Sequence, residues 1–280
     1  PAKITSTDVP KSFGITRKIV TVPYPLLSRP VLTEIYGEES RAIILRNYSV
    51  ADVQKKPYDP QYLLYHMEKT YFRTEFQEMS DKWQSNPIII DAEASLKWIN
   101  KRPLKDEIKR DLEEYLAGGI NTKPFTDANI HMKLESLLKT EPVKDFKATK
   151  TRSIMWHFKH VCAILAPGME IMKTRLKEAL NDKFIYADGL RPDQLSSSAM
   201  DMMGTKVFIE NDLTQQDKQT NLSHIKLEIE LYKKLGLGKT LCDMYYMMHS
   251  TLFRWKSKYN KGVLTEMRLT GEIFTALGNC

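Results

Sequence analysis

The sequence predicts an α+β fold in which helices dominate the first two hundred residues and a strand, an acidic turn and a helix follow. Three observations carry this. Apolar residues recur at helical spacing in separate stretches: Leu64, Met67 and Tyr71; Ile108, Leu112, Tyr115 and Leu116; Met172, Leu176, Ala179 and Leu180. After Gly204, the short run Val207-Phe208-Ile209 ends in Glu210-Asn211-Asp212 and reads as a buried strand delivering Asp212 at its end. Leu222, Ile225, Ile229 and Tyr232 then mark one face of a helix, with Asn221 as its cap and Gly236 as its stop.

Along the chain, Pro10, Pro23, Pro25 and Pro30 make the opening forty residues extended and irregular, since each proline removes an amide donor and biases its predecessor away from helix. This stretch is expected to lie along another lobe. Asp59-Pro60 starts the first periodic helix. Pro87 to Asp91, with Ile88, Ile89 and Ile90, is too short and too β-branched for a helix and is expected to form a buried strand. Gly118-Gly119 is expected to close the helix of Ile108 and Leu112 with a left-handed stop. There is no internal repeat and no low-complexity tract.

A chain of 280 residues with 42% hydrophobic and 28% charged content buries a sizeable core in one large or two smaller domains, which excludes disorder throughout. No apolar run of about 18 residues is present, and the first twenty residues lack the apolar stretch of a signal peptide. Cys162, Cys242 and Cys280 are scattered and odd in number, which points to free thiols in a reducing compartment. The chain begins at Pro1 and stops at Cys280 directly after a motif, and reads as a piece of something longer.

A net charge of +7 and a pI near 9.1 favour a polyanionic partner. The charge is concentrated. Between Lys139 and His160, the six cations Lys139, Lys144, Lys147, Lys150, Arg152 and Lys159 stand against Glu141 and Asp145. The strip is either a solvated loop or a phosphate-facing surface that neutralises triphosphate oxygens and releases counterions from a nucleic-acid backbone.

Asp212 and Asp217 are the candidate catalytic carboxylates. Nucleotidyl transfer uses two divalent ions, Mg²⁺ or Mn²⁺, held by carboxylates on rigid elements. Asp212, at a strand end, suits the metal. Asp217, five residues on, suits a helix start where it meets the sugar of an incoming nucleotide. Taken alone, the two acids read better as turn and cap residues. A second segment, Thr270 to Asn279, adds to them: a turn at Gly271 followed by a helix puts Thr275 and Asn279 at i and i+4, where a hydroxyl and an amide on one face can read a ribose 2′-hydroxyl. Ile273, Phe274 and Leu277 belong in the core whether or not that pair binds ribose.

These segments resemble the RNA-dependent RNA polymerases of the alphavirus-like viral superfamily, which includes tobamovirus-like and related insect-virus replicases. The first palm motif of that family is similar to Asp212 through Asp217 with Lys218-Gln219-Thr220. The second is similar to Thr270, Gly271, Thr275 and Asn279, and the basic fingertip motif to Lys139-Thr140-Glu141 leading to Lys150-Thr151-Arg152. Weaker likeness reaches upstream through Ser28-Arg29-Pro30 and Arg46-Asn47. The resemblance implies a right-hand polymerase fragment, with an N-terminal extension and helix-rich fingers in residues 1–200, part of the palm sheet with a helical insertion in 201–280, and the thumb missing.

It also implies RNA-templated RNA synthesis in viral genome replication and transcription. Asp212 would hold Mg²⁺, Asp217 with Thr275 and Asn279 would favour ribose, Thr270 and Gly271 would shape the nucleotide site, and Lys150 and Arg152 would contact the triphosphate. Lys139, Lys144, Lys147 and Lys159 would face RNA. Implied partners are template and product RNA, nucleoside triphosphates, and helicase and capping domains of the same polyprotein. The implied location is membrane-associated replication complexes in host cytoplasm. The sequence departs from the family in lacking Gly-Asp-Asp, so the 280 residues alone are expected to be inactive. A reverse transcriptase is the catalytic alternative, and a noncatalytic basic helical RNA-binding or scaffold module is the alternative of another class.

Other features carry less. His157, His160 and Cys162 suggest half a zinc site, but no second cluster completes it, and packing or RNA contact suits them better. Trp83, Trp98, Trp156 and Trp255 are expected in the core rather than stacked on bases. Gly236-Leu237-Gly238-Lys239-Thr240 lacks the upstream glycine of a phosphate loop and follows a helix. Met200, Met202, Met203, Met247 and Met248 are expected to fill core gaps.

Overall fold

Two hydrophobic cores, one between helices and one beneath a sheet, organise the protein in a computed structural model that describes residues 4–6, 36–48, 58–118, 123–133, 153–201, 216–264 and 268–278. In chain order the elements are β1 (Ile4–Ser6), α1 (Tyr36–Ile43) with a π-helical turn over Ile44–Tyr48, α2 (Pro60–Tyr71), α3 (Phe76–Ser85), α4 (Ala92–Asn100), α5 (Lys105–Ala117), α6 (Lys123–Thr126), β2 (Asp127–Met132) and β3 (Ser153–Trp156). They continue with α7 (Lys159–Ala179), α8 (Pro192–Asp201), α9 (Gln216–Gln219), α10 (Leu222–Lys234), α11 (Lys239–Ser250), β4 (Phe253–Lys256), β5 (Asn260–Leu264) and α12 (Thr275–Gly278). The fold is α+β.

The sheet runs β1-β5-β4-β2-β3, antiparallel except where β2 lies parallel to β4 with Asp127 opposite Arg254. Strand alternation sorts its faces. Ala128, Ile130, Met155, Phe253, Trp255 and Leu264 point into the sheet core with Ile43, while His131, Arg254 and Lys256 are exposed. A one-faced antiparallel sheet of this kind needs only one cover. Because the sheet takes strands from both sides of residue 200, the segments 1–200 and 201–280 share it.

α7 is the axis of the helical core. Its residues Val161 to Ala166, with Gly168, Met169, Met172, Leu176 and Ala179, are all buried, and α4 and α5 pack on it. A helix apolar on every side shows little periodicity, and Pro167-Gly168 resembles a break, so the sequence reveals only its second half. α2, α3 and α11 pack around α10. The caps form as expected: the Asp59 carboxylate accepts from Gln61 N–H at 2.9 Å, and Asn221 and His224 form a reciprocal capping box. Gly236, with φ of +85°, reverses the chain after α10 in a conformation that favours glycine.

Three expectations are corrected. Pro87 to Asp91 is not a buried strand. Ile88 alone is buried, bridged to Leu237, whereas Ile89 is 69% exposed, because the segment passes over the rim of the helical core rather than through it. α5 is capped at Gly118 in right-handed geometry (φ −76°), Gly119 of the expected left-handed stop lies outside the described residues, and Leu116 is exposed rather than on the buried stripe of Ile108, Leu112 and Tyr115. Met200 is exposed on α8, while Met248 is buried and Met247 packs at the core edge. Trp255 is buried, Trp83 and Trp98 pack against the helical core, and half-buried Trp156 meets the edge of His131 at 4.5 Å.

Candidate functional site

The loop 268–278 joins the two cores. Leu269 enters the sheet core, and Phe274 and Leu277 enter the helical core. Their backbone polar groups need partners once buried, and the loop finds them on three sides. On the first, the Thr270 hydroxyl accepts the Met155 N–H at 3.0 Å and Gly271 N–H donates to Met155 O at 2.7 Å, so the loop closes the free edge of β3. A Cβ on residue 271 would lie 2.8 Å from Met155 O, which explains the glycine by close approach. On the second, Arg268 N–H donates to Asp217 O at 3.1 Å, tying the first turn of α9 to the loop. On the third, the buried Arg268 guanidinium pairs with Glu228 of α10, whose carboxylate also accepts from Tyr245 at 2.5 Å.

Beneath the loop, Glu272 accepts from Leu269 N–H at 3.3 Å and pairs with His249 Nε2 at 3.1 Å, while His249 Nδ1 faces Tyr245 O at 2.9 Å. Burial pushes the Glu272 carboxyl up, but His249, His157 and Arg268 outweigh it and hold its pKa below the ordinary value. Burial likewise pushes His249 down, and Glu272 outweighs it, so its pKa is raised. Glu228 behaves oppositely to Glu272. Burial raises its pKa, and Arg268 with Tyr245 offsets only part of that rise.

Of the expected site residues, Thr270, Gly271 and Thr275 lie on this loop, and Asp217 adjoins it through its backbone carbonyl. Half-buried Thr275 donates its hydroxyl proton to Leu269 O at 2.6 Å, which leaves its oxygen as an acceptor. Exposed Lys159 opens α7, three residues past the end of β3. Asp212, Lys150, Arg152, Asn279, Lys139, Lys144 and Lys147 lie outside the described residues. In sequence, Arg152 immediately precedes Ser153, the first residue of β3. Among the described residues no group of three or more His, Cys, Asp or Glu is placed to hold a metal ion.

The family model for RNA-dependent RNA polymerase matches residues 37–280. The chain belongs to that family. It is 22% identical over its whole length to the replicase large subunit of tobacco mild green mosaic virus, covering 16% of that protein, and 22% identical over 98% of its length to that of turnip vein-clearing virus, again covering 16%. Over 45% of the chain it is 27% identical to the RNA-directed RNA polymerase 2a of Pelargonium zonate spot virus, covering 18% of that protein. The chain thus spans about a sixth of the length of the replicases it matches. The alphavirus-like kinship expected from the motifs is what these relatives bear out.

In this polymerase-family chain, the charged groups under the loop escape sequence reading, although one signal was available. Glu228 falls on the same helical face as Ile225, Ile229 and Tyr232, and a carboxylate on an apolar stripe announces a buried partner. His249 stands four residues after Tyr245 on the buried face of α11, but its partner Glu272 is visible only in three dimensions. The zinc-like trio is dispersed into packing. His157 is buried with Nδ1 3.3 Å from Asp127 O, His160 lies between Phe158 and Tyr115, and burial pushes the Cys162 thiol up to about 11. Gly238 caps α11 and donates its N–H to Ile88 O at 2.8 Å, an internal bond rather than a phosphate cradle.

Proposed function

We propose that the loop 268–278, the α9 turn and the entry to β3 form the nucleotide-selecting part of an RNA-templated RNA synthesis site in viral genome replication. The observation that supports this reading is the pair of backbone junctions at the loop, Arg268 to Asp217 and Gly271 to Met155, by which one loop adjoins both the first turn of α9 and the edge of β3. In such a site the 3′-hydroxyl of a growing strand attacks the α-phosphate of a nucleoside triphosphate and pyrophosphate leaves. Positioning and charge neutralisation supply most of the rate. Asp217 and Asn279 meet the ribose, and the Thr275 oxygen accepts from its 2′-hydroxyl, since its own proton is given to Leu269 O. Lys150 and Arg152, just before β3 in sequence, neutralise the triphosphate, and Lys139, Lys144, Lys147 and Lys159 hold RNA phosphates.

Asp212 would hold Mg²⁺ or Mn²⁺, which would lower the charge cost of phosphoryl transfer. The fingers would occupy residues 1–200 and the palm 201–280 of a right-hand polymerase, working beside other replicase domains at host cytoplasmic membranes. No helix among the described residues is long and apolar enough to cross a membrane. Lacking Gly-Asp-Asp, these 280 residues are expected to extend no primer by themselves.

The test is a Mn²⁺ titration of GTP binding in the wild-type chain and in Asp212→Ala. The expected outcome is metal-dependent GTP binding that Asp212→Ala removes. Metal-independent RNA binding that Asp212→Ala leaves untouched would overturn the reading in favour of a basic scaffold module.

A further inference from the structure

We propose that Arg268 is the positioning residue for ribose selection, holding the turn that carries Asp217 and the turn from Thr275 to Gly278 at one separation. The inference rests on the polymerase reading above and names the device behind its selectivity. Arg268 is 1% exposed, so its charge has been taken almost wholly out of water. Filling space alone would be done better by an aliphatic side chain, because a buried ion pair is commonly no more stabilising than apolar residues of similar volume. What the guanidinium adds is direction.

Its guanidinium makes contacts that no aliphatic residue reproduces, and its backbone N–H adds one that any residue but proline would make. Its Nη2 is bonded to the Glu228 carboxylate, which Tyr245 holds from the other side, so the guanidinium is fixed to α10 and α11. Its own backbone N–H holds Asp217 O. Its guanidinium lies against the backbone of Gly278, where an added Cβ would come within 2.5 Å of Cζ and Nη2 and 2.8 Å of Nη1. One residue therefore touches both the turn that bears the sugar-facing acid and the last residue of the turn that bears Thr275. Gly278 is the matching half of the device, since any side chain there would push the two turns apart. A lysine at 268 keeps the charge but loses the planar fork that spans Glu228 and the Gly278 backbone.

The experiment is equilibrium binding of Mn²⁺-GTP and Mn²⁺-dGTP to the full 280-residue chain as wild type, Asp217→Ala, Arg268→Lys and Gly278→Ala, with a thermal melt of each. Wild type is expected to prefer GTP. Arg268→Lys and Gly278→Ala are each expected to reduce that preference about tenfold, the equivalent of one lost hydrogen bond, with dGTP affinity held within about twofold. A purely structural role predicts a lower melting temperature with both nucleotides weakened alike, and that result overturns the inference. So does an unchanged GTP preference in both variants. If Arg268→Lys does not fold, Gly278→Ala, a change at a partly exposed residue, decides. Loss of preference in Asp217→Ala with preference retained in both positioning variants sinks this inference alone. Absence of any ribose preference in wild type sinks the polymerase reading and this inference with it.

Discussion

Around α7 and beneath the loop 268–278 the chain reaches the same degree of burial by opposite chemistry. α7 is enclosed by Val161, Leu165, Met169 and Met172, whose contacts are short-ranged and non-directional, so neighbours repack at modest cost as long as volume is conserved. The loop is anchored by its own Arg268 and Glu272 on Glu228 and His249, partners that must sit at hydrogen-bond distance and in a particular direction. Apolar burial keeps helices together, and polar burial keeps particular atoms in place. The second kind is found in the loop that carries Thr270 and Thr275 and that Asp217 adjoins through Arg268.

The comparison breaks first at Glu272. Glu272→Gln leaves His249 buried without a counter-charge and is expected to cost about 3–5 kcal/mol. The loss should depend on pH. His249 has a raised folded pKa, so its contribution is complete below its ordinary 6.5 and disappears as pH rises through the folded value. Glu272 has a lowered one, so its contribution is complete above its ordinary 4.5 and disappears as pH falls through the folded value. Denaturation midpoints should therefore differ most between wild type and Glu272→Gln at pH 4.5–6.5 and converge in alkali. An identical difference at pH 5.5 and pH 9 would remove the ion pair from the account.

Leu165→Ala, in the middle of α7, is expected to cost about 2–5 kcal/mol through lost transfer energy and a residual cavity. Unlike the Glu272 variant, its effect should be the same at every pH, as urea denaturation at two pH values would show. Asn221→Ala removes the α10 cap and is expected to cost about 0.5–2 kcal/mol. It sharpens the contrast from the local side, because α10 carries Glu228. A drop in melting temperature without a change in nucleotide preference would separate helix stability from loop position.

Much of the fold was legible where local rules act alone. Asp59 and Asn221 cap helices as their residue types require, and Leu64, Ile108 and Ile225 fall on buried faces as their spacing requires. The reading failed where the environment on all sides mattered. The first half of α7 shows no polar face to mark its period, and Ile89 is exposed although its composition matches that of buried strands. For the site, the Thr-Gly pair was visible as a motif, but the reason for it was not. Thr270 and Gly271 serve the edge of β3, more than one hundred residues away in sequence. Asp212, Lys150, Arg152 and Asn279 lie outside the described residues, and their roles rest on the motifs.

From the sequence by itself came the α+β class, the principal helices with their caps, the concentration of positive charge before β3 and the family kinship, because propensity, periodicity and motif spacing are properties of neighbouring residues. Tertiary structure alone decided the strand order, the closure of β3 by Thr270 and Gly271, and the buried Arg268–Glu228 and His249–Glu272 pairs. Hydrogen bonds and ion pairs are selected by distance in space, and no local pattern records which distant carboxylate will meet which cation once the apolar faces have closed.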